Sequence, residues 1–132
     1  SNVMKVDGTD SGLKLIDPRG QFGGNELFGD KKYDYAKFLY GLTGYDHFNL
    51  TKDVRFQYDD RTNEIFYDCI QGYDLDELTD DVELKYLVAL IWFKLPYYTI
   101  NNINKAIVAY AHGSRLIMKY GPQVLKKHGL DY

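Results

Sequence analysis

The feature that most constrains the fold is a long apolar segment bounded on both sides by helix signals. It reads DDVELKYLVALIWFKLP, residues 80–96. Asp80 with Glu83 three residues later predicts a capping box, with Asp in place of the usual Ser or Thr, and Pro96 predicts the end of the helix. One stripe carries Leu84, Leu87, Val88, Ile91, Trp92 and Leu95, and a second set, Tyr86, Leu90 and Phe93, widens it. We therefore expect a central helix that neighbours contact from two sides.

Two further helices are predicted on either side of this one. Asp30 is a suitable N-cap for a helix over about residues 31–42, which Gly44 ends. Its apolar positions recur at i, i+3, i+4 and i+7 and are Tyr35, Phe38, Leu39 and Leu42. The last helix is predicted over about residues 102–120 and closes on Gly121 and Pro122. Its inward side chains are predicted to be Ile103, Ile107, Tyr110 and Ile117.

Two hairpins complete the predicted elements. The segment MKVDGTDSGLKLID, residues 4–17, reads as strand, turn and strand, and residues 18–29 are predicted to be a glycine-rich loop. In residues 53–70 Val54, Phe56 and Tyr58 alternate with polar residues before a turn at 59–63. The fold class is therefore α+β and helix-dominated, with an N-terminal β-hairpin, a second β-hairpin and about three main helices. Ser1 and Asn2 are typical of a tag remnant, and residues 3–132 are expected to form a single domain.

Composition excludes several classes of function. The 16 basic and 19 acidic residues give a net charge of −3, and no basic stripe alternates with the aromatic residues, so we expect no nucleic-acid partner. No apolar run reaches the roughly 20 residues that a membrane-spanning helix needs. Cys69 is the single cysteine, which excludes an internal disulfide and fits a reducing, cytoplasmic location. The 13 tyrosines suit cores that reach the surface, interfaces or sugar-stacking surfaces, and do not choose among them.

Asp17 is the candidate functional residue that the chain presents first. It follows the second strand of the N-terminal hairpin and precedes Pro18, Arg19 and a stretch rich in glycine. A carboxylate between a strand and a flexible loop can hold Mg²⁺, which takes oxygen ligands and shares them with substrate phosphates. Asp-Pro also opens ordinary turns. On the residues alone the turn is the better supported of these two interpretations.

The wider segment adds a resemblance. Residues 14–44 read KLIDPRGQFGGNELFGDKKYDYAKFLYGLTG, with GDKKYDYA at Gly29 to Ala36. This resembles the strand–aspartate–loop–helix segment of the aminoglycoside phosphotransferase and choline kinase superfamily, the small-molecule branch of the protein-kinase-like fold. It is also similar to phosphotransferase-type domains of bacterial proteins of surface-polysaccharide or nucleotide-sugar metabolism. The resemblance covers residues 5–44, and the hairpin at 53–70 has no counterpart in it.

The resemblance implies a fold and a set of roles. The chain would be part of a kinase-like C-terminal lobe, and Asp17 would bind Mg²⁺ and bridge it to ATP. Asp34 would support the catalytic loop, and Asp30 would cap the following helix. Arg19 has no fixed role in the family and could bind phosphate or pair with an acidic neighbour. The cofactors implied for the full-length protein are Mg²⁺ and ATP, and the acceptor would be a small hydroxylated molecule such as a sugar or an amino alcohol.

Departures from the family pattern set limits to the activity. The catalytic loop H-G-D-x-x-x-x-N and the phosphate-binding lysine strand are missing from the sequence, and Lys31 stands where the family usually has proline. We therefore predict that this chain alone is inactive and is a fragment of a phosphotransferase.

Two other interpretations stay open at this point. In the first, the chain is a non-catalytic ligand-binding or protein-interaction module on a kinase-like scaffold, linked to surface-polysaccharide biosynthesis. A homo-oligomer formed through exposed apolar surface is expected both for this module and for the phosphotransferase fragment. In the other, the chain is an unrelated α+β domain with a coincidental turn at Asp17.

Overall fold

The computed structural model describes the backbone of residues 3–5, 13–15, 21–22 and 25–26, and residues 31–130 in full. Within these ranges the strands are β1 Val3–Lys5, β2 Leu13–Leu15, β3 Gln21–Phe22, β4 Asn25–Glu26, β5 Gln57–Asp59 and β6 Glu64–Phe66. The helices are α1 Lys31–Tyr40, α2 Asp46–Leu50, α3 Leu75–Leu78, α4 Val82–Lys94 and α5 Ile103–Lys127, with a π-type segment Gly41–Tyr45 and a 3₁₀ turn Leu95–Tyr98. The fold is α+β and helix-dominated, as predicted.

Each pair of consecutive strands forms a two-stranded antiparallel hairpin. β1 pairs with β2 in the register Val3↔Leu15, which confirms the predicted N-terminal hairpin. β3 and β4 pair within residues 18–29, so the prediction that this whole stretch is a loop was wrong. β5 pairs with β6, and Asn63 in their turn adopts a φ of 56°, which asparagine tolerates better than most residues. Val54 was predicted to belong to the first strand of the second hairpin, but β5 begins only at Gln57, so this hairpin is shorter than predicted. Val54 itself is buried.

α4 is the central helix and contacts both α1 and α5, as predicted. Its N-cap differs from the prediction, because the side chain of Asp81 accepts hydrogen bonds from the backbone N–H groups of Glu83 and Leu84 at 2.9 and 3.3 Å. Asp80 therefore does not form the predicted capping box. The fully buried side chain of Trp92 lies at the centre of the core, with the rings of Tyr40, Phe48 and His112 at edge-on distances of 4.6–5.4 Å.

α1 ends two residues before the predicted position and presents a different face. After Tyr40 the chain forms the π-type segment, kinks at Gly44 with a φ of 144°, and continues as α2. The kink needs glycine because this φ is strained for any residue with a side chain. Tyr35 and Phe38 are exposed, whereas Ala36, Leu39 and Tyr40 are buried. The predicted stripe was therefore correct only in part.

α5 continues for seven residues beyond the predicted end at Tyr120. Pro122 lies inside the helix, although proline removes one backbone hydrogen bond. The extra turns are held by Lys127 and His128, whose side chains reach Glu83 at the start of α4 at 3.3 and 3.0 Å. Contrary to prediction, Ile103 and Tyr110 are exposed. The buried residues of α5 are instead Ala106, Val108, Ala109, Gly113 and Tyr120.

The residues that the structure describes include no helix with the length and apolar character required to cross a membrane.

Candidate functional site

The predicted site residues divide between two parts of the chain. Asp17, Arg19 and Asp30 lie outside the described residues. Asp34 lies in the first turn of α1 and is exposed to solvent. The predicted roles of all four residues stay predictions.

Described elements lie on both sides of Asp17 in the sequence. β2 ends at Leu15, two residues before Asp17, and is paired along its length with β1. α1 begins at Lys31, directly after Asp30. A hairpin strand therefore leads into the candidate metal ligand, and a helix follows the segment that contains it.

A cluster of charged side chains fixes the start of α1 to the rest of the molecule. Lys32 forms an ion pair with Glu83, and its Nζ lies 3.3 Å from Oδ2 of Asp81. Lys127 and His128 contact the same Glu83 carboxylate at 3.3 and 3.0 Å. Hydrogen bonds from Lys32, Lys127 and His128 lower the pKa of Glu83 to about 2. The cluster joins the first turn of α1 to the start of α4 and the end of α5.

A second cluster lies at the centre of the molecule, around His112. The Nδ1 atom of His112 is 2.9 Å from the hydroxyl of Tyr67, and the ring packs edge-on against Trp92 at 4.6 Å. Burial, and secondly the positive charge of Arg115, lower the pKa of His112 to about 4. The ring is therefore neutral at pH 7, so that one nitrogen can accept a hydrogen bond from the Tyr67 hydroxyl while the other carries the hydrogen.

Two depressions lie near these residues. The first has a volume of about 170 Å³ and is lined by Thr43, Tyr73, Asp74, Leu75, His112, Leu116, Lys119 and Tyr120. This volume is below the several hundred Å³ of a site for a substrate-sized molecule. The second is an open groove of about 520 Å³ beside hairpin β5–β6, lined by Arg55, Phe56, Gln57, Phe66, Tyr67 and Asp68. Across the described ranges, no three His, Cys, Asp or Glu side chains are arranged to hold a metal ion.

Asp76 organises an ion-pair network, partly exposed to solvent, that sequence reasoning missed. Its carboxylate receives Lys85 Nζ at 2.8 Å, Lys119 Nζ at 2.6 Å and the Tyr120 hydroxyl at 3.1 Å. These hydrogen bonds, from Lys119 first and then Lys85, lower the pKa of Asp76 well below its usual range. Lys85 is buried within the apolar face of α4. A lysine at a core-facing helical position was the available signal, since a buried charge requires a partner.

We expect the folded protein to lose stability in mild acid, because folding keeps His112 neutral at pH values where the unfolded chain protonates it. The pKa of histidine is 6.5 in the unfolded chain and about 4 for His112 in the folded one, so the unfolded state binds the proton first. The contribution of His112 is therefore complete above pH 6.5 and is lost as the pH falls towards 4, with a total of about 3 kcal/mol. Urea unfolding at several pH values from 7.5 to 5 should show this slope, and His112→Gln should flatten it. An unchanged slope in His112→Gln would contradict this assignment.

Comparison with known proteins gives no relative, since no family model, no curated protein and no solved structure matches the chain.

Proposed function

We propose that this chain is the C-terminal part of a small-molecule phosphotransferase of the aminoglycoside phosphotransferase and choline kinase superfamily. The full-length protein transfers the γ-phosphate of ATP to a hydroxylated acceptor such as a sugar or an amino alcohol. The observation that carries the proposal is the order hairpin β1–β2, Asp17, hairpin β3–β4, helix α1. β2 ends at Leu15 and α1 begins at Lys31, so Asp17 follows a hairpin strand and precedes a helix, which supports the resemblance.

Each residue of the site has a role in this proposal. Asp17 binds Mg²⁺, since a carboxylate oxygen is the hard ligand that this cation prefers, and Arg19 binds phosphate. Asp34 supports the site from the first turn of α1, and Asp30, the residue before that helix in the sequence, supports it as well. When bound, Mg²⁺ would neutralise charge on the nucleotide phosphates. The use of ATP and the single cysteine favour a cytoplasmic location. The isolated chain lacks the catalytic loop and is therefore inactive, because phosphoryl transfer needs all the positioning groups together.

The metal assignment can be tested without any catalytic activity. Mn²⁺ replaces Mg²⁺ at oxygen sites and can be followed by its effect on water proton relaxation. We expect the chain to bind Mn²⁺ in the presence of ATP, and Asp17→Asn to weaken this binding at least about tenfold, or by about 1.4 kcal/mol. The titration measures binding of the metal–nucleotide complex, so it applies to the inactive chain.

Asp60→Asn is the matched control, because it removes the same charge from an exposed turn residue of hairpin β5–β6. We expect this variant to bind as the unmodified chain does. Equal weakening in Asp60→Asn and Asp17→Asn would show a general charge effect and contradict the assignment. ATP turnover that survives Asp17→Ala would contradict it as well.

A second candidate function is supported by the exposed apolar side chains. Tyr97, Ile103 and Tyr110 are each more than half exposed. Monomeric proteins rarely expose large contiguous apolar patches. These residues favour an interaction module on the same scaffold, one that self-associates and no longer catalyses a reaction. Its biological setting in this proposal is surface-polysaccharide biosynthesis.

A further inference from the structure

The helices α4 and α5 expose a continuous apolar surface on their outer side. We name it the outer α4–α5 face, formed by Leu90, Phe93, Tyr97, Ile103 and Tyr110. On α4 and the following turn the spacing is i, i+3 and i+7, and on α5 it is i and i+7 with Ile107 between. The ring centroids of Phe93 and Tyr110 are 5.4 Å apart, so the stripes of the two helices join into one surface. Stripes of this spacing are typical of the seam of a helix bundle.

The face is large enough for a weak dimer. Its five residues are exposed by 40% at Leu90, 42% at Phe93, 79% at Tyr97, 60% at Ile103 and 55% at Tyr110. At about 200 Å² for each fully exposed large side chain, this amounts to about 500 Å² of apolar area. A twofold pair would then bury about 1,000 Å², which is at the lower limit for specific interfaces. The expected dissociation constant is therefore in the micromolar range.

The charge pattern favours a second copy of this chain over a charged partner. Residues 86–114 include two charged side chains, Lys94 and Lys105, and neither Asp nor Glu. Lys94 lies over the ring of Tyr98, and Lys105 binds the backbone oxygen of Asn49 at 3.1 Å. The centre of the face around Phe93 and Tyr110 is therefore uncharged, so two copies can meet there without repulsion.

We propose that the outer α4–α5 face is a homodimer interface, in which two copies pack α4 and α5 into a four-helix arrangement about a twofold axis near Tyr110. In such an isologous contact the same patch serves both subunits, so residues at the axis face their own copies. The proposal rests on the second candidate function and is independent of phosphoryl transfer. Failure to dimerise would leave the assignment of Asp17 as a metal ligand standing. Failure to bind Mn²⁺ would likewise leave the dimer interface standing.

Sedimentation velocity on the full chain from about 1 to about 300 µM tests the interface, since this range brackets a micromolar dissociation constant. The expected result is a monomer–dimer equilibrium, and Tyr110→Glu should weaken it at least about tenfold by placing like charges at the axis. A mixture of Tyr110→Glu with Tyr110→Lys should restore the dimer. If circular dichroism shows that Tyr110→Glu does not fold, Leu90→Glu provides the same test at the edge of the outer α4–α5 face.

Tyr58→Glu is the matched control, because Tyr58 is also a tyrosine, is 57% exposed, and lies on hairpin β5–β6. That hairpin contacts α5 through Arg115 and His112, on the other side of the helix from Tyr110. Tyr58→Glu should dimerise as the unmodified chain does. The proposal is overturned by a monomer throughout the concentration range, by equal loss in Tyr58→Glu, or by a charge-swapped mixture that stays monomeric.

Discussion

Replacing Gly113 by valine is expected to lower the free energy of unfolding by at least about 3 kcal/mol. Gly113 is buried in α5 where that helix crosses α4. A Cβ atom at this position would lie 2.5 Å from the backbone nitrogen of Phe93 and 2.7 Å from its Cα. Backbone atoms cannot rotate away as a side chain can, so the two helices would have to separate. The gain in helix propensity, about 0.5 kcal/mol for valine over glycine, is too small to offset this.

Gly121→Val is the control for this prediction, because Gly121 belongs to the same helix. Its Cβ would meet only Cε2 of Tyr86 at 3.7 Å, an ordinary contact. The following Pro122 disfavours a helical residue with a Cβ, which opposes the gain in propensity, so we expect a change within about 1 kcal/mol. Urea unfolding followed by circular dichroism measures both variants. A similar loss in the two variants would contradict the assignment of the Gly113 effect to close packing against α4.

The role of Gly113 also explains why sequence reasoning assigned the wrong face to α5. The apolar pattern gave most weight to large side chains and so turned Ile103 and Tyr110 inward. The close contact with α4 is made instead at Gly113, because a small residue lets two helices approach closely. Periodicity of large apolar residues detects a helix well, but it does not distinguish a face that contacts a neighbour from one that stays exposed.

The elements that the sequence predicted best are those with strong local signals. The central helix α4 and hairpins β1–β2 and β5–β6 follow from apolar periodicity and turn residues within a few positions of each other. The end of α5 could not be predicted locally, because Pro122 is a helix-ending signal that distant contacts override. Glu83 lies more than 40 positions away from Lys127 and His128 along the chain, and their ion pairs form only once the helices have packed.

The candidate site shows the same division between local and distant signals. Asp17 and the start of α1 were found from residues that lie within one short segment. The pairs Tyr67–His112 and Asp76–Lys119 join residues 45 and 43 positions apart, and no spacing rule links them. Prediction of such pairs requires the packing of α5 against its neighbours, which the sequence did not reveal.

Replacing Trp92 by alanine is expected to cost about 3–5 kcal/mol, the range for removing a large aromatic side chain from a core. Trp92 is fully buried and contacts rings from three separate parts of the chain, Tyr40, Phe48 and His112. Its removal would leave a cavity at the point where α1, α2 and α5 meet α4. Trp92 is the single tryptophan, so urea unfolding must be followed by circular dichroism and not by tryptophan fluorescence.

Trp92→Phe separates the two contributions of this side chain. Among the described residues the indole Nε1 has no hydrogen-bond partner, and a buried unpaired N–H group costs about 1–3 kcal/mol. Phenylalanine keeps an aromatic ring against Tyr40 and Phe48 and removes the unpaired N–H group. The stability gained by removing that group partly offsets the stability lost through the smaller ring volume. We therefore expect Trp92→Phe to lose less than about half of what Trp92→Ala loses. Equal losses would mean that the Nε1–H group contributes a hydrogen bond in solution, and that the core depends on it as much as on the ring.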